Sequence, residues 1–86
     1  MKDLQTVPVV TEVRVIKPYT LVVRFEDGVC RRVDLKDHAW RGVFAPLKDP
    51  AVFATAYVDQ EAGTVVWPNG ADVAPEFLYE SGEEAD

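Results

Sequence analysis

Few residues of this sequence have the chemistry of catalytic groups. The chain of 86 residues contains one cysteine (Cys30), one histidine (His38) and one serine (Ser81). A thiol–imidazole pair needs neighbours that orient the imidazole and stabilise an oxyanion, and Cys30 lies in a predicted strand without them. The acidic residues fall in predicted turns, helix caps and the C-terminal segment rather than in an apolar pocket that would raise one pKa. The sequence therefore predicts a protein that is not an enzyme.

Metal and cofactor sites are not indicated either. His38 is close to Asp34 and Asp37, but one imidazole with two adjacent carboxylates defines no metal geometry. The single cysteine excludes an intrachain disulfide and a cysteine-rich zinc site. No Gly-x-Gly pattern suggests a phosphate loop. We expect no cofactor and no metal.

Three arginines are candidates for a binding surface. The strand alternation described below places Arg14, Arg24 and Arg32 on one sheet face, and such a face can contact phosphates. The pattern puts no aromatic residue beside them for base stacking, and it places Glu12 across from Arg24. The net charge of −6 also disfavours nucleic acid. A solvated sheet face is the simpler interpretation, and nucleic-acid binding is the alternative.

The most distinctive segment runs from Thr64 to Asp72 and contains Trp67-Pro68-Asn69-Gly70. A structural role is sufficient to explain it, with Trp67 at a strand end, a turn after it, and Asp72 helping to cap the next helix. Exposed tryptophans in turns are also favoured at interfaces. A binding surface for a protein or a small ligand around Trp67 and Asn69 therefore remains open.

The first third of the chain predicts a three-stranded antiparallel meander. Apolar residues alternate with polar ones over residues 9–15 and 21–25, and residues 29–33 form a third strand. We predict three-residue loops at 17–19 and 26–28, because these gather the apolar side chains on one face. The facing pairs would be Val13 with Val23, Val15 with Leu21, Leu21 with Val33, Val23 with Arg31, and Phe25 with Val29.

The rest of the chain predicts short helices and a second hairpin. Asp34 is a good N-cap for a helical turn from Leu35 to about Trp40 that stops at Gly42. Asp49-Pro50 starts a helix that reaches about Ala54. Residues 56–59 and 64–67 form a hairpin, and a final short helix follows Pro75. The apolar residues expected to pack under the sheet or within these helices are Val43, Phe44, Leu47, Val52 or Phe53, Phe77, Leu78 and Tyr79.

These elements define an α+β fold. It has a small antiparallel β-meander and hairpins with about five strands in total, and two or three short helices packed on one face. We expect one domain over residues 1–79 and an acidic disordered tail over residues 80–86. The sequence shows no signal peptide and no membrane span, so the expected location is cytoplasmic. An unpaired edge strand would be compatible with a monomer or a homodimer.

Several motifs resemble one family. Val23-Arg24-Phe25-Glu26-Asp27-Gly28, Val33-Asp34-Leu35, Leu47-Lys48-Asp49-Pro50 and Phe53 are similar to segments of the DUF2442 family of small bacterial proteins. So is the run from Gly63 to Tyr79, above all Trp67-Pro68-Asn69-Gly70-Ala71-Asp72 ahead of Leu78-Tyr79. The resemblance covers roughly residues 13–79.

The resemblance implies a stand-alone α+β domain of unknown function. Some members of the family are fused to a helix-turn-helix domain, for which this chain ends too soon after Tyr79. Others are encoded beside another small protein, as in toxin–antitoxin modules. Our first hypothesis is a non-enzymatic protein-interaction component of such a two-gene module. The alternatives are a nucleic-acid-binding regulator that uses the arginine face and a small-ligand binder near Trp67.

Overall fold

A computed structural model describes residues 7–36 and 42–85 of the chain. The elements follow in the order β1 (Val10–Lys17), β2 (Thr20–Phe25), β3 (Cys30–Asp34), a 3-10 helix (Gly42–Lys48), α1 (Pro50–Phe53), β4 (Tyr57–Asp59), β5 (Thr64–Val66), α2 (Pro75–Ser81) and β6 (Glu83–Glu84). A four-stranded antiparallel sheet has the order β1-β2-β3-β6, and β4 and β5 form a second, two-stranded sheet. The α+β prediction is confirmed, with six strands among the described residues.

The meander has the predicted facing pairs. Val13 faces Val23, and Leu21 lies between Val15 on β1 and Val33 on β3. The loop at 26–28 has three residues, because the Phe25 amide donates to the Val29 carbonyl at 2.8 Å. Gly28 takes the left-handed conformation there, with φ of 91°. Burial of one apolar face therefore determines the register of this sheet.

The first turn differs from the prediction by one residue. Lys17 pairs with Thr20, so the loop contains only Pro18-Tyr19. Ile16 is an extra residue on β1, and this irregularity keeps Val15 opposite Leu21 as predicted. Proline suits the second position of a tight turn because its φ is fixed near −65°. Tyr19 follows with φ of 71°, and its hydroxyl donates to the carbonyl of Lys48. This bond supports a conformation that a non-glycine residue rarely adopts.

The core lies between one face of the meander and the helices with the second hairpin. Its buried members are Val10, Leu21, Val23, Phe25, Val33, Leu35, Leu47, Phe53, Val65, Trp67, Ala71, Val73 and Leu78. As predicted, α1 begins after Asp49, whose side chain accepts a hydrogen bond from the Ala51 amide at 2.9 Å, and it buries Phe53. None of the helices in residues 7–36 and 42–85 is long and apolar enough to cross a membrane.

The 3-10 helix was not predicted. It begins at Gly42, and only Leu47 of its apolar residues is fully buried. Val43 is exposed, so the prediction that it packs under the sheet is wrong; Phe44 is half-buried against the core. Asp34 accepts a hydrogen bond from the Lys36 amide at 2.8 Å, but the predicted turn beyond it lies mostly outside the described residues.

The entry to α2 also differs from the prediction. Ala74 occupies the N-cap position and forms no capping hydrogen bond through its side chain. Asp72 instead pairs with Val66 in an isolated β-bridge. The predicted capping role of Asp72 is therefore wrong, because the backbone at Asp72 extends the second sheet.

The C-terminal acidic segment is structured over most of its length, in contrast to the disordered tail predicted from residue 80. Helix α2 continues to Ser81, and Glu83–Glu84 pairs with Arg31 and Arg32 on β3. The Ala85 amide donates to the Cys30 carbonyl at 3.1 Å. The open edge of β3 offers backbone partners and the guanidinium group of Arg32, and these order glutamates that have no apolar surface to bury.

Candidate functional site

The register brings the three predicted arginines to one solvent-facing surface. Arg14 faces Val22, which in turn faces Arg32, and Arg24 lies two residues further along β2 on the same face. All three arginines are exposed. A shallow depression of about 300 Å³ on this face is lined by Glu12, Arg14, Val22, Arg24 and Cys30.

Acidic side chains reduce the positive charge of this surface. Glu12 Oε1 lies 3.6 Å from Arg24 Nε, and Glu83 Oε1 lies 2.9 Å from Arg32 Nη2. Within the described ranges, Arg14 alone of the three arginines forms no ion pair. Because two of the three cations are already paired, the face offers little net charge to a phosphate backbone.

Cys30 lies at the margin of the same depression and is half-buried. Its Sγ is 3.9 Å from the Gly28 carbonyl, a weak contact with the loop. His38, the other half of the thiol–imidazole pair considered above, lies outside the described residues, as does Asp37. In the described part of the chain, no group of three or more histidine, cysteine and acidic residues could hold a metal ion.

Trp67 lies in the core and not on a surface. Only 1% of it is exposed, and its ring is 5.6 Å from that of Phe53. Its indole Nε1 donates to the Phe53 carbonyl at 2.9 Å. The indole is therefore buried in this fold and is not itself a contact surface for a partner or a ligand.

Asn69 is exposed, but both ends of its amide are used within the protein. Its Oδ1 accepts from the Ala71 amide at 3.1 Å, and its Nδ2 donates to the Val43 carbonyl at 2.9 Å. These bonds hold the turn at residues 68–70 and join it to the start of the 3-10 helix. The distinctive Trp-Pro-Asn-Gly segment thus has a structural role.

An apolar groove between the 3-10 helix and α2 was missed by the sequence analysis. It has a volume of about 270 Å³ and is lined by Phe44, Asp72, Val73, Ala74 and Phe77. Phe77 is 39% exposed, although Leu78, which follows it, is buried in the core and Tyr79 packs against the core. The helical period could have predicted this exposure. Consecutive helical residues point in directions about 100° apart, so three in a row cannot all face one core.

Acidic side chains lie around this groove. Asp72 forms part of its wall, and Glu76 and Glu80 are exposed on α2. Glu80 follows Phe77 by three residues, so the two lie on neighbouring positions of one helix face. The groove therefore combines an apolar floor with negative charge.

A cluster of Asp27, Arg31 and Tyr79 holds α2 against the meander. The Tyr79 hydroxyl donates to Asp27 Oδ2 at 2.7 Å, and Arg31 Nε donates to the Tyr79 carbonyl at 2.9 Å. The hydrogen bonds from the Val29 amide and then from Tyr79 lower the pKa of Asp27 below its ordinary value. The bond to Asp27 raises the pKa of Tyr79. This cluster positions one wall of the groove.

We expect the Tyr79→Phe variant to lose less stability on acidification than the parent protein. A carboxyl whose folded pKa is depressed stabilises the fold above its unfolded pKa, near 3.8, and this contribution is lost as the pH falls through the folded pKa. Without the hydroxyl the depression is smaller. Thermal melts between neutral pH and acid should show a lower Tm for the variant at pH 7 and a smaller drop in Tm below pH 3.8. Equal acid-dependent drops in the two proteins would contradict the proposed coupling.

Comparison with known families agrees with the resemblance seen in the sequence. The model of the family described as Protein of unknown function (DUF2442) matches residues 10–84. The match extends past Tyr79, where the motifs end, and includes β6. No curated protein and no solved structure matches the chain.

Proposed function

The chain belongs to the DUF2442 family of proteins of unknown function, and on that premise we propose that it is a non-enzymatic protein-interaction module. The observation that supports this proposal is the apolar groove between the 3-10 helix and α2. Its lining is apolar except for Asp72, whose single carboxylate has no histidine, cysteine or second acidic residue beside it in the lining. A groove of this kind recognises a side chain by burying it rather than by reacting with it.

The groove suits an apolar side chain presented by another protein. Phe77 and Phe44 offer aromatic surface, which contributes most to binding when a partner covers it fully. Asp72, Glu76 and Glu80 would then face the periphery of the contact, where charges determine which partner is accepted. We therefore propose a partner segment with an apolar anchor residue and basic neighbours, such as one turn of an amphipathic helix.

The partner that we propose is the small protein encoded beside this one, in a bacterial two-gene module of toxin–antitoxin type. The resemblance described above motivates this setting, and the acidic character of the chain, with a net charge of −6, is compatible with a basic partner. The proposed compartment is the cytoplasm.

We expect the Phe77→Asp variant to bind the adjacent gene product at least about 30-fold more weakly, the loss typical of a central interface residue. The charge would be placed against an apolar anchor, whereas the fold should persist because Phe77 is 39% exposed. Isothermal titration calorimetry of the two purified proteins measures the affinity, and circular dichroism checks the fold.

Tyr57→Asp is the matched control, because Tyr57 is also an exposed aromatic residue (48%) but lies on β4, outside the groove. It should bind as the parent does. Equal losses in both variants, or failure of the parent to bind the adjacent gene product, would contradict the proposed role of the groove.

Nucleic-acid binding through the arginine face is the second candidate, and the same proteins test it. Its basis is the shared surface of Arg14, Arg24 and Arg32, and the ion pairs with Glu12 and Glu83 weigh against it. If this face bound nucleic acid, the affinity would fall steeply with salt and Arg24→Glu would abolish it, while Phe77→Asp would leave it unchanged. That pattern would replace the groove proposal.

A further inference from the structure

The four-stranded sheet ends in the long strand β1 on one side and in the two-residue strand β6 on the other. Strand β6 covers part of the β3 edge, whereas β1 is the outermost strand on the other side. Among the backbone hydrogen bonds of the described residues, the one from the free edge of β1 joins the Val10 amide to the Gly63 carbonyl at 2.9 Å. Between Glu12 and Val15, no backbone hydrogen bond of the described residues occupies this edge of β1.

The alternation of antiparallel pairs identifies the outward-facing backbone groups. The Phe25 amide donates to Val29 on the β3 side, so Val23 and Leu21 also direct their backbone groups to β3. Their partners on β1, Val13 and Val15, consequently direct amide and carbonyl away from β2. A strand that adds to this edge must bond to Val13 and Val15.

The β1 strand of a second copy could pair antiparallel with this edge in several registers, and the charges on β1 distinguish between them. A two-fold axis at Val13 places Glu12 of each copy opposite Arg14 of the other, in a pair of the close, non-hydrogen-bonded type. An axis at Arg14 would oppose the two arginines to each other, and an axis at Val15 would place each Arg14 opposite Ile16. Only the first arrangement joins opposite charges.

We propose that two copies of this protein associate through antiparallel pairing of β1 with β1, centred on Val13, to form one continuous eight-stranded sheet. The pairing gives Arg14, which forms no ion pair within the described residues of one copy, a carboxylate partner. Glu12 then lies between Arg24 of its own copy and Arg14 of the other.

The same features limit the assembly to two copies. Irregularities between Val10 and Glu12 and at Ile16 limit the regular stretch of β1 to a few residues, and of the three axes considered within it only the one at Val13 joins opposite charges. The pairing uses the same edge on both copies and is therefore closed. The opposite edge of the sheet carries β6, whose Glu83 and Glu84 would repel a second acidic strand.

Complementary charge reversal tests the proposal. We expect Glu12→Arg and Arg14→Glu each to raise the dimer dissociation constant at least about tenfold, because each replaces two attractive cross-strand pairs with two repulsive ones. An equimolar mixture of the two variants should form a heterodimer, because both cross-strand pairs then join an arginine on one copy to a glutamate on the other. The double variant, Glu12→Arg with Arg14→Glu, should recover the dimer.

Sedimentation velocity measures the association over a range of protein concentrations. Lys48→Glu is the control for Arg14→Glu, because it makes the same charge change at an exposed position away from β1. It should sediment as the parent does. A parent protein that remains monomeric throughout the range, single variants that associate as the parent does, or a mixture that forms no heterodimer would overturn the proposal. This inference is independent of the groove and its partner.

Discussion

Replacing Trp67 with alanine is expected to lower the free energy of unfolding by about 3–5 kcal/mol, the cost of removing a large aromatic side chain from a core. Trp67 is 1% exposed and packs on Phe53, which in turn lies 5.5 Å from the ring of Tyr19. Its loss creates a cavity between α1 and β5 and removes the donor to the Phe53 carbonyl. Because a domain of this size has a small core, this cost is a large part of its total stability.

Urea unfolding followed by circular dichroism measures the effect and separates its two causes. Trp67→Phe keeps much of the ring but loses the indole N–H, so its cost should be smaller and should reflect mainly the unpaired carbonyl of Phe53. Tyr57→Ala removes an aromatic residue that is 48% exposed and should cost less than about 1 kcal/mol. If Trp67→Ala costs no more than Tyr57→Ala, Trp67 is not a core residue.

The meander was predictable because one apolar face determines its register. Moving β3 by one residue would expose Val33 and bury a charged neighbour, so the sequence allowed a single solution. The first turn was harder, because a bulge at Ile16 and a shorter loop compensate for each other. The alternation of inward and outward residues is the same before the turn in both arrangements, and the pattern alone could not distinguish them.

The C-terminal segment shows where composition misleads. Glu83 and Glu84 have no apolar surface to bury, so the composition of the segment alone predicts disorder. Their order depends on the unpaired edge of β3, and specifically on Arg32, whose guanidinium pairs with Glu83 at 2.9 Å. A pairing between residues 51 positions apart in sequence leaves no local signal.

Of the two candidate surfaces, the arginine face could be predicted from the sequence and the groove could not, because the groove also depends on contacts between distant segments. The arginine face follows directly from strand alternation, so its members could be named by counting in steps of two. The groove depends on how α2 is rotated, with Leu78 buried and Phe77 exposed, and on a 3-10 helix that the sequence did not predict. Trp67 was ambiguous because tryptophan is common both in cores and at interfaces.

Replacing Gly82 with alanine is the second change with a large expected effect, a loss of about 1–3 kcal/mol from overpacking. Gly82 joins α2 to β6 with φ of −78°, a value that any residue can adopt. Glycine is required because there is no room for a side chain. A Cβ atom at this position would lie 2.8 Å from Arg31 Cβ and 2.8 Å from Val33 Cγ2. To accommodate it, β6 must move away from β3, which breaks the Arg32–Glu83 ion pair. Hydrogen exchange at the Ala85 amide, which bonds to the Cys30 carbonyl, should therefore accelerate.

Gly28 provides the control that separates space from backbone conformation. Nothing lies within 4 Å of a Cβ built there, but its φ is 91°. Gly28→Ala should therefore cost about 1 kcal/mol through backbone strain alone, and Gly28→Asn should cost less because asparagine tolerates left-handed conformations. At Gly82 the order should reverse, since asparagine is larger than alanine and meets the same two side chains. If asparagine cost less than alanine at both glycines, the requirement for glycine at position 82 would not come from its close packing against β3.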